Sequence, residues 1–140
     1  MTPDGRHIIA VDFDGTLITG NTWPDVAGEP NLPLINILIR ERQIGNKVIL
    51  WTNRTNVPEE EKYPLRAAID FCRAAGLEFD AVNENLPEII EAYHSDSRKV
   101  SADFYVDDKA LNPELINLKL FEEFKMPLKT DSFVTKGDNE

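Results

Sequence analysis

The sequence has few of the residues that build most zinc and redox sites. It contains one cysteine, Cys72, and two histidines, His7 and His94. Cys72 falls in a stretch where apolar residues recur at helical spacing, with no histidine or second cysteine nearby. We therefore expect a small buried apolar side chain. The two histidines show no partner pattern, and we interpret both as structural.

Basic residues and long apolar runs are also scarce. Lys and Arg number 15 against 25 Asp and Glu, which gives a formal net charge of -10. No basic stretch could neutralise a row of phosphates, so extended nucleic-acid binding is not expected. No apolar run approaches the roughly 20 residues that span a bilayer, and a signal-peptide pattern is missing. We expect a cytoplasmic protein without a membrane partner.

The chain length of 140 residues fits one domain with an ordinary core. A polar stretch at residues 129–140 offers almost nothing to pack. The sequence therefore predicts one folded domain over residues 1–128 and a loose C-terminal tail over residues 129–140.

Strand-like apolar runs alternate with helical patterns along the chain. Strands are predicted at residues 7–13, 47–51, 79–83 and 104–106, and helices around Leu34 to Ile39, at residues 59–75 and 87–94, and from Asn112 onward. This order predicts an α/β fold, namely a three-layer Rossmann-like sandwich with a mainly parallel sheet and helices on both faces. Ligands of such sheets bind at the carboxyl ends of the strands, where the polar clusters of this sequence fall.

The first strand ends in two acidic residues, Asp12 and Asp14. Residues two apart in an extended segment point the same way, so the two carboxylates can converge while Phe13 turns into the core. Gly15 allows a sharp turn, and the Thr16 hydroxyl could bond to nearby backbone or to a carboxylate. The plain alternative is a common Asp-rich turn.

A second acidic pair, Asp107 and Asp108, follows the fourth predicted strand and makes the plain alternative less favourable. Carboxylates placed this close together repel each other, and a divalent cation resolves the conflict. Oxygen ligands without His or Cys favour Mg²⁺ over zinc, and Mg²⁺ commonly takes a substrate phosphate as a further ligand. The pattern indicates a magnesium site that receives a phosphate.

Four motifs of this chain resemble, in order, those of the haloacid dehalogenase (HAD) superfamily. They are Asp12-Phe13-Asp14-Gly15-Thr16, Thr52 after an apolar strand, Lys99, and Asp107-Asp108. The first motif is highly specific for the phosphatase branch, and the resemblance covers most of the chain. Residues 97–108 also look like a group of small uncharacterised HAD-like hydrolases, which implies no substrate.

The resemblance implies a phosphohydrolase that forms an aspartyl phosphate on Asp12. Asp14 would protonate the leaving oxygen and later take a proton from water, and its backbone carbonyl would bind Mg²⁺. Thr52 would hold a phosphoryl oxygen, and Lys99 would offset negative charge. Asp12 and Asp107 would complete the metal ligands.

Asp108 has three open roles, which are direct ligation, ligation through water and orientation of Lys99, and it ranks below Asp107. Lys99 competes with Arg98 and Lys109 for the place of the site lysine. Lys99 is preferred because it precedes the fourth strand, where the family places this residue.

Three residues are weaker candidates for contact with substrate. Arg54 could reach the substrate, although a surface ion pair with the acidic run at residues 59–61 is at least as good an interpretation. Asn53 has the same status. Trp23 could line the mouth of a pocket or serve simple packing. Thr52 could be only a helix or turn cap, but its position after the apolar run at residues 48–51 favours the binding of a phosphoryl oxygen.

Neither family insertion point leaves room for a cap domain, so the chain is expected to be capless. Open sites of this kind suit large substrates or completion by a neighbouring subunit. The partners expected here are a phosphorylated small molecule and, as an open possibility, a second copy of the chain.

Two other classes remain open. A phosphoaspartate receiver domain uses similar residues, but its phosphorylated Asp follows a middle strand rather than the first. A non-catalytic binder of a phosphorylated ligand has no support while both Asp12 and Asp14 are present. Within the enzyme class, a nucleic-acid end phosphatase is disfavoured by the charge, and phosphonate and dehalogenase chemistry stay formally open.

Overall fold

A computed structural model of the chain describes residues 1–110. The chain divides into two units, Met1–Asp108 and Lys109–Glu140, and the strands and helices described belong to the first. The helix predicted from Asn112 and the tail predicted at residues 129–140 lie outside the described residues, and so does the predicted domain boundary after residue 128.

Four parallel strands form the centre of the first unit. They are β1 (Ile8–Val11), β2 (Lys47–Leu50), β3 (Ala81–Val82) and β4 (Phe104–Val106). Their order in the sheet is β3-β2-β1-β4, and the register aligns Ile9 with Val48 on one side and with Phe104 on the other. All strands run the same way, so their carboxyl ends meet at one edge, with β1 at the centre.

The alternation of side chains along β1 divides the core into two layers. Ile9 and Val11 pack on one face of the sheet in a cluster with helical residues, whereas Ile8 and Ala10 pack on the other face. All four are buried, which explains why this segment reads as a continuous apolar run rather than an alternating one.

Helices cover both faces, as the sequence predicts. They are α1 (Leu32–Gln43), α2 (Pro64–Ala74) and α3 (Pro87–Tyr93). Leu38 of α1 and Cys72 of α2 belong to the first core cluster, and Ile89 of α3 belongs to the second. The fold is therefore the expected α/β sandwich of helices, parallel sheet and helix. Burial raises the pKa of the Cys72 thiol to about 12, consistent with a structural cysteine.

The start of the second helix differs from the prediction. Residues 59–61 were expected to form its acidic first turn, but Glu59 and Glu60 lie in a separate 3-10 turn (Pro58–Glu60). Glu61 has a left-handed backbone with φ of 55°, which ends that turn, and α2 begins only at Pro64. Proline suits the first helical position because its missing N–H would have no partner there.

Between Thr16 and β2 the chain forms one long loop and α1, and between β2 and Val100 it forms the 3-10 turn, α2, β3 and α3. Within residues 1–110 no further domain is inserted at either place, so the expectation of a capless fold is confirmed for that part of the chain. None of the helices described there has the length and apolar character needed to cross a membrane.

Candidate functional site

The first motif forms a tight turn directly after β1. The Asp12 N–H donates to the Val106 carbonyl at 2.9 Å, which extends the pairing of β1 and β4 by one residue. Phe13 is buried, and its carbonyl accepts from the N–H groups of Thr16 (3.1 Å) and Leu17 (2.9 Å). Gly15 has φ of 75°, so the turn uses a backbone conformation that favours glycine. The predicted role of Gly15 is confirmed.

The predicted role of the Thr16 hydroxyl is wrong. Its oxygen is buried and has no hydrogen-bond partner among the described residues. The backbone carbonyl of Phe13 holds the turn instead.

Three carboxylates meet at the carboxyl ends of β1 and β4. Asp12, Asp107 and Asp108 each offer one oxygen, and these oxygens lie within 4.8 Å of one another. Asp12 of the first acidic pair thus meets both acids of the second pair, because β1 and β4 are adjacent and parallel. Such a set of oxygen donors fits a hard divalent cation such as Mg²⁺ and does not fit zinc well.

The surroundings of Asp12 disfavour its charged form. The pKa of this carboxyl is raised to about 6. Burial is the largest cause, and the charges of Asp107, Asp108 and Asp14 act in the same direction. The backbone N–H of Phe13 acts in the opposite direction. A bound cation would offset the repulsion among these acids.

Gly15 also makes room for one of these acids. A Cβ atom added to Gly15 would clash with Oδ2 and Cγ of the Asp108 side chain. The glycine therefore serves both the turn and the close approach of Asp108 to the first motif.

Asp14 faces a different environment, because it forms a two-pronged ion pair with Arg54. Nε and Nη2 of Arg54 donate to the two Asp14 oxygens, each at 2.9 Å. The Arg54 side chain is 1% exposed, so this is an interior ion pair. The surface ion pair of Arg54 with residues 59–61, considered from the sequence, is wrong.

Arg54 also ties together loops that are far apart in sequence. Its Nη1 donates to the carbonyls of Pro24 (3.2 Å) and Pro64 (3.0 Å), and its Nη2 also donates to the carbonyl of Asp25 (2.7 Å). With the bonds to Asp14, all five N–H groups of the guanidinium are used within the chain. The arrangement leaves no N–H group for a substrate, and it makes Arg54 a positioning residue for Asp14.

Thr52 and Asn53 follow β2 at the same edge of the sheet. The Thr52 N–H donates to the side-chain oxygen of Asn83 (2.8 Å), and its hydroxyl accepts from the N–H of Arg54 (3.1 Å). Thr52 is thus a turn cap, while its hydroxyl proton is still able to donate. Asn53 is exposed. Their roles toward substrate stay predictions.

Lys99 lies in an exposed stretch before β4. Its ammonium sits 4.8 Å from the centre of the Tyr105 ring. The loop that carries it is held by buried Asn85, which donates to Asp96 (2.7 Å) and accepts from the N–H of Ser101 (2.6 Å). Lys109 belongs to the second unit, so the choice between the two lysines stays open.

The sequence does not predict the structural roles of two residues of this site. Arg54 was a candidate for substrate contact, not for the interior ion pair, and Asn83 was no candidate at all. Asn83 has φ of 55° and accepts from the Thr52 N–H, and its position at the end of a predicted strand was the one sequence signal for it.

Comparison with known proteins places the chain beside a conserved protein of Bacteroides thetaiotaomicron. The two are 32% identical over 92% of this chain and 98% of the other, with a TM-score of 0.61. The chain belongs to the same family as that conserved protein, whose name states no activity. No protein-family model and no curated protein matches the sequence.

Proposed function

We propose that the chain is a magnesium-dependent phosphomonoesterase, a HAD-like hydrolase that works through an aspartyl phosphate on Asp12. The observation that carries this proposal is the meeting of Asp12 with Asp107 and Asp108, within 4.8 Å, directly beside the turn that presents Asp14. A cytoplasmic location stays a prediction.

In the first step, an Asp12 oxygen attacks phosphorus, the bond from phosphorus to the ester oxygen breaks, and that oxygen takes a proton from Asp14. In the second step, water attacks the aspartyl phosphate and gives its proton to Asp14. Phosphate leaves and Asp12 is regenerated.

The bond pattern of Asp14 has a consequence for these proton transfers. Both of its oxygens accept from Arg54, yet each has a further lone pair for a substrate or a water molecule. A protonated Asp14 oxygen can donate to the leaving oxygen and still accept from Arg54 through a remaining lone pair, although it is a weaker acceptor than a carboxylate oxygen. Arg54 orients Asp14 between these steps.

The oxygen donors suit Mg²⁺, which would be held by Asp12, Asp107 and the backbone carbonyl of Asp14, with Asp108 as an additional ligand or a ligand through water. The cation would offset the charge of the carboxylates and of the phosphate dianion. Thr52 and Lys99 are proposed to bind phosphoryl oxygens, and Asn53 is a weaker candidate for substrate contact.

The test is phosphate release from a panel of sugar phosphates, nucleotides and phospho-acids, measured with Mg²⁺ and again after chelation by EDTA. We expect release that depends on Mg²⁺. Asp70→Asn should leave phosphate release unchanged, because Asp70 is an exposed acid on α2 that pairs with Arg73. Release that is unaffected by EDTA would contradict the proposed metal dependence.

Acetyl phosphate separates this proposal from a receiver domain. A phosphorylated protein that persists without phosphate release would favour a signalling role. Binding of phosphate esters without turnover by the wild-type protein would favour a non-catalytic binder.

A second copy of the chain is a further proposed partner, because a neighbouring molecule could complete a site that has no cap domain. Light scattering of the purified protein tests it, and a monomer at assay concentration would exclude it.

A further inference from the structure

Two aromatic residues, Trp23 and Tyr63, stand directly before the prolines that Arg54 binds. Nη1 of Arg54 donates to the carbonyl of Pro24 at 3.2 Å and to that of Pro64 at 3.0 Å. One nitrogen atom therefore binds two segments, each an aromatic residue followed by proline, that are far apart in sequence.

Both aromatic side chains are exposed. Trp23 is 57% exposed and Tyr63 is 37% exposed. Tryptophan is highly buried on average, so the packing role considered for Trp23 does not account for its position. One face of Tyr63 is occupied by Arg66, whose guanidinium lies 4.3 Å from the ring centre. Trp23 is the more accessible of the two rings.

The backbone that carries Trp23 is held in place although the ring faces solvent. The Trp23 N–H donates to the side chain of Asn21 (3.1 Å), and the Asp25 N–H donates to the Thr22 carbonyl (2.9 Å). Together with the bonds from buried Arg54, these contacts order the segment before any ligand arrives. Such ordering lowers the entropic cost of binding a ligand.

The position of this segment relative to the reaction follows from the same guanidinium. Arg54 binds Asp14 through one pair of N–H groups and the Trp23 segment through others. In the proposed function Asp14 protonates the leaving oxygen, while the cluster of Asp12, Asp107 and Asp108 lies on the phosphoryl side. The Trp23 segment therefore lies one guanidinium away from Asp14, the residue that stands beside the leaving group in the proposed function.

Resting on that proposed function, we infer that Trp23 stacks on a planar aromatic ring carried by the leaving group. The substrates are then phosphate monoesters whose alcohol bears such a ring. A nucleoside 5′-monophosphate and a benzyl-type phosphate share this chemistry. Stacking of this kind tolerates different rings, because every planar ring has a π face.

The kinetic test compares substrates that differ only by the ring. Adenosine 5′-monophosphate is paired with ribose 5-phosphate, and benzyl phosphate with cyclohexylmethyl phosphate, so that the leaving oxygen stays similar within each pair. In the wild-type protein we expect higher kcat/KM for the ring-bearing member of at least one pair. The pair that shows the preference identifies the source of the ring.

Substitution of Trp23 tests the residue itself. Trp23→Ala should lower kcat/KM for the preferred ring-bearing ester about tenfold and leave its ring-free counterpart unchanged. Trp23→Phe should restore most of the loss. Tyr93→Ala is the matched control, because Tyr93 is 68% exposed at the end of α3 and should have no effect. Equal losses for both members of a pair, or no loss for either, would overturn the inference.

A binding measurement separates this inference from the proposed function. The sequence has two tryptophans, so Trp51→Phe leaves Trp23 as the one reporter, and Asp12→Asn in the same protein prevents turnover. We expect adenosine 5′-monophosphate or benzyl phosphate to quench the fluorescence, and the ring-free esters not to. Quenching without hydrolysis by wild type would retain the ring site and reject the phosphatase. Hydrolysis without ring-dependent quenching would retain the phosphatase and reject the ring site.

Discussion

The two carboxylates of the first motif lie two positions apart in the sequence and have opposite surroundings. Asp12 is placed among acids, since Asp107 and Asp108 approach it within 4.8 Å, and burial and these charges raise its pKa to about 6. Asp14 is held by the guanidinium of Arg54 through two bonds of 2.9 Å. The same short strand end thus presents one acid to a cluster of negative charge and the other to an interior cation.

In the proposed function, this difference gives the two acids of the motif separate roles. A site for a bound cation needs several carboxylates close together, and Asp12 belongs to such a cluster. A group that moves protons needs a defined orientation, which Arg54 gives to Asp14 from inside the fold. Substitutions at Asp12 and at Arg54 therefore test the two roles separately.

The largest effect is expected from Asp12→Asn. The amide is a poor nucleophile of nearly the same shape, so phosphate release should fall on the order of 10³-fold or more while the fold is retained. Phosphate release with Mg²⁺ measures the loss, and circular dichroism checks the fold. Undiminished hydrolysis would exclude Asp12 as the nucleophile.

Arg54→Ala tests the other role by removing the interior cation. It leaves the Asp14 carboxylate and three backbone carbonyls without their donor, and the loss of free energy of unfolding should be about 3–5 kcal/mol. Urea denaturation measures it. Arg54→Lys keeps the charge but not the planar fork, so an intermediate loss is expected.

The matched control is Arg42→Ala. Arg42 also forms a two-pronged pair, with Asp80 at 2.9 and 3.1 Å, but its side chain is 33% exposed. That loss should be about 1 kcal/mol. Equal losses at the two arginines would show that the burial of Arg54 does not matter.

The raised pKa of Asp12 predicts a pH dependence of cation binding. The carboxyl must lose its proton to bind Mg²⁺, so affinity should be about tenfold weaker at about pH 5 than at about pH 7.5. Calorimetric titration with Mg²⁺ measures this, and Asp12→Asn should bind more weakly with a flatter pH profile. An unchanged affinity across this range would mean that Asp12 is not a ligand.

The same shift acts on stability without metal. Burial raises the pKa of Asp12 from its ordinary value of 3.8 to about 6, so the folded state holds the proton to higher pH than the unfolded state. The contribution of Asp12 therefore favours folding below about pH 4 and is lost as pH rises to about 6. Thermal unfolding in EDTA should show this decline in the wild type and not in Asp12→Asn.

The smallest effect is expected from Gly15→Ala. The left-handed backbone, with φ of 75°, should cost about 1–2 kcal/mol, and the new Cβ would displace Asp108. Gly5→Ala is the control, because Gly5 has φ of 86° but open space around it. Both variants should lose stability, and Gly15→Ala alone should lose Mg²⁺ affinity. Equal affinities would show that Asp108 does not contribute to the cation site.

The order of strands and helices was accessible from the sequence because local patterns carry it. The apolar runs of β1 and β2 and the helical spacing around Leu38 each show their structure within one segment. The start of α2 was missed at residues 59–61. Acidic residues suit both a helix start and a surface turn, and the left-handed backbone of Glu61 has no clear sequence signal.

The meeting of the acids was predictable from strand order, since residues after adjacent parallel strands reach the same edge. The pair between Arg54 and Asp14 was not, because those residues lie 40 positions apart and the pair depends on how the intervening loops fold. From the sequence alone, an arginine near a run of glutamates fits a surface ion pair equally well.

By itself, then, the sequence determined the parallel α/β arrangement and the placing of four acids at strand ends, because the period of apolar residues and the strand-to-turn spacing are local properties. Only the tertiary structure decided which acid lies among other carboxylates and which forms an ion pair with Arg54. That choice depends on Arg54 being buried against Phe13, with its guanidinium 4.8 Å from the ring centre and its five donors satisfied by distant segments. A buried charge is stable only when the folded chain supplies all of its hydrogen-bond and ion-pair partners.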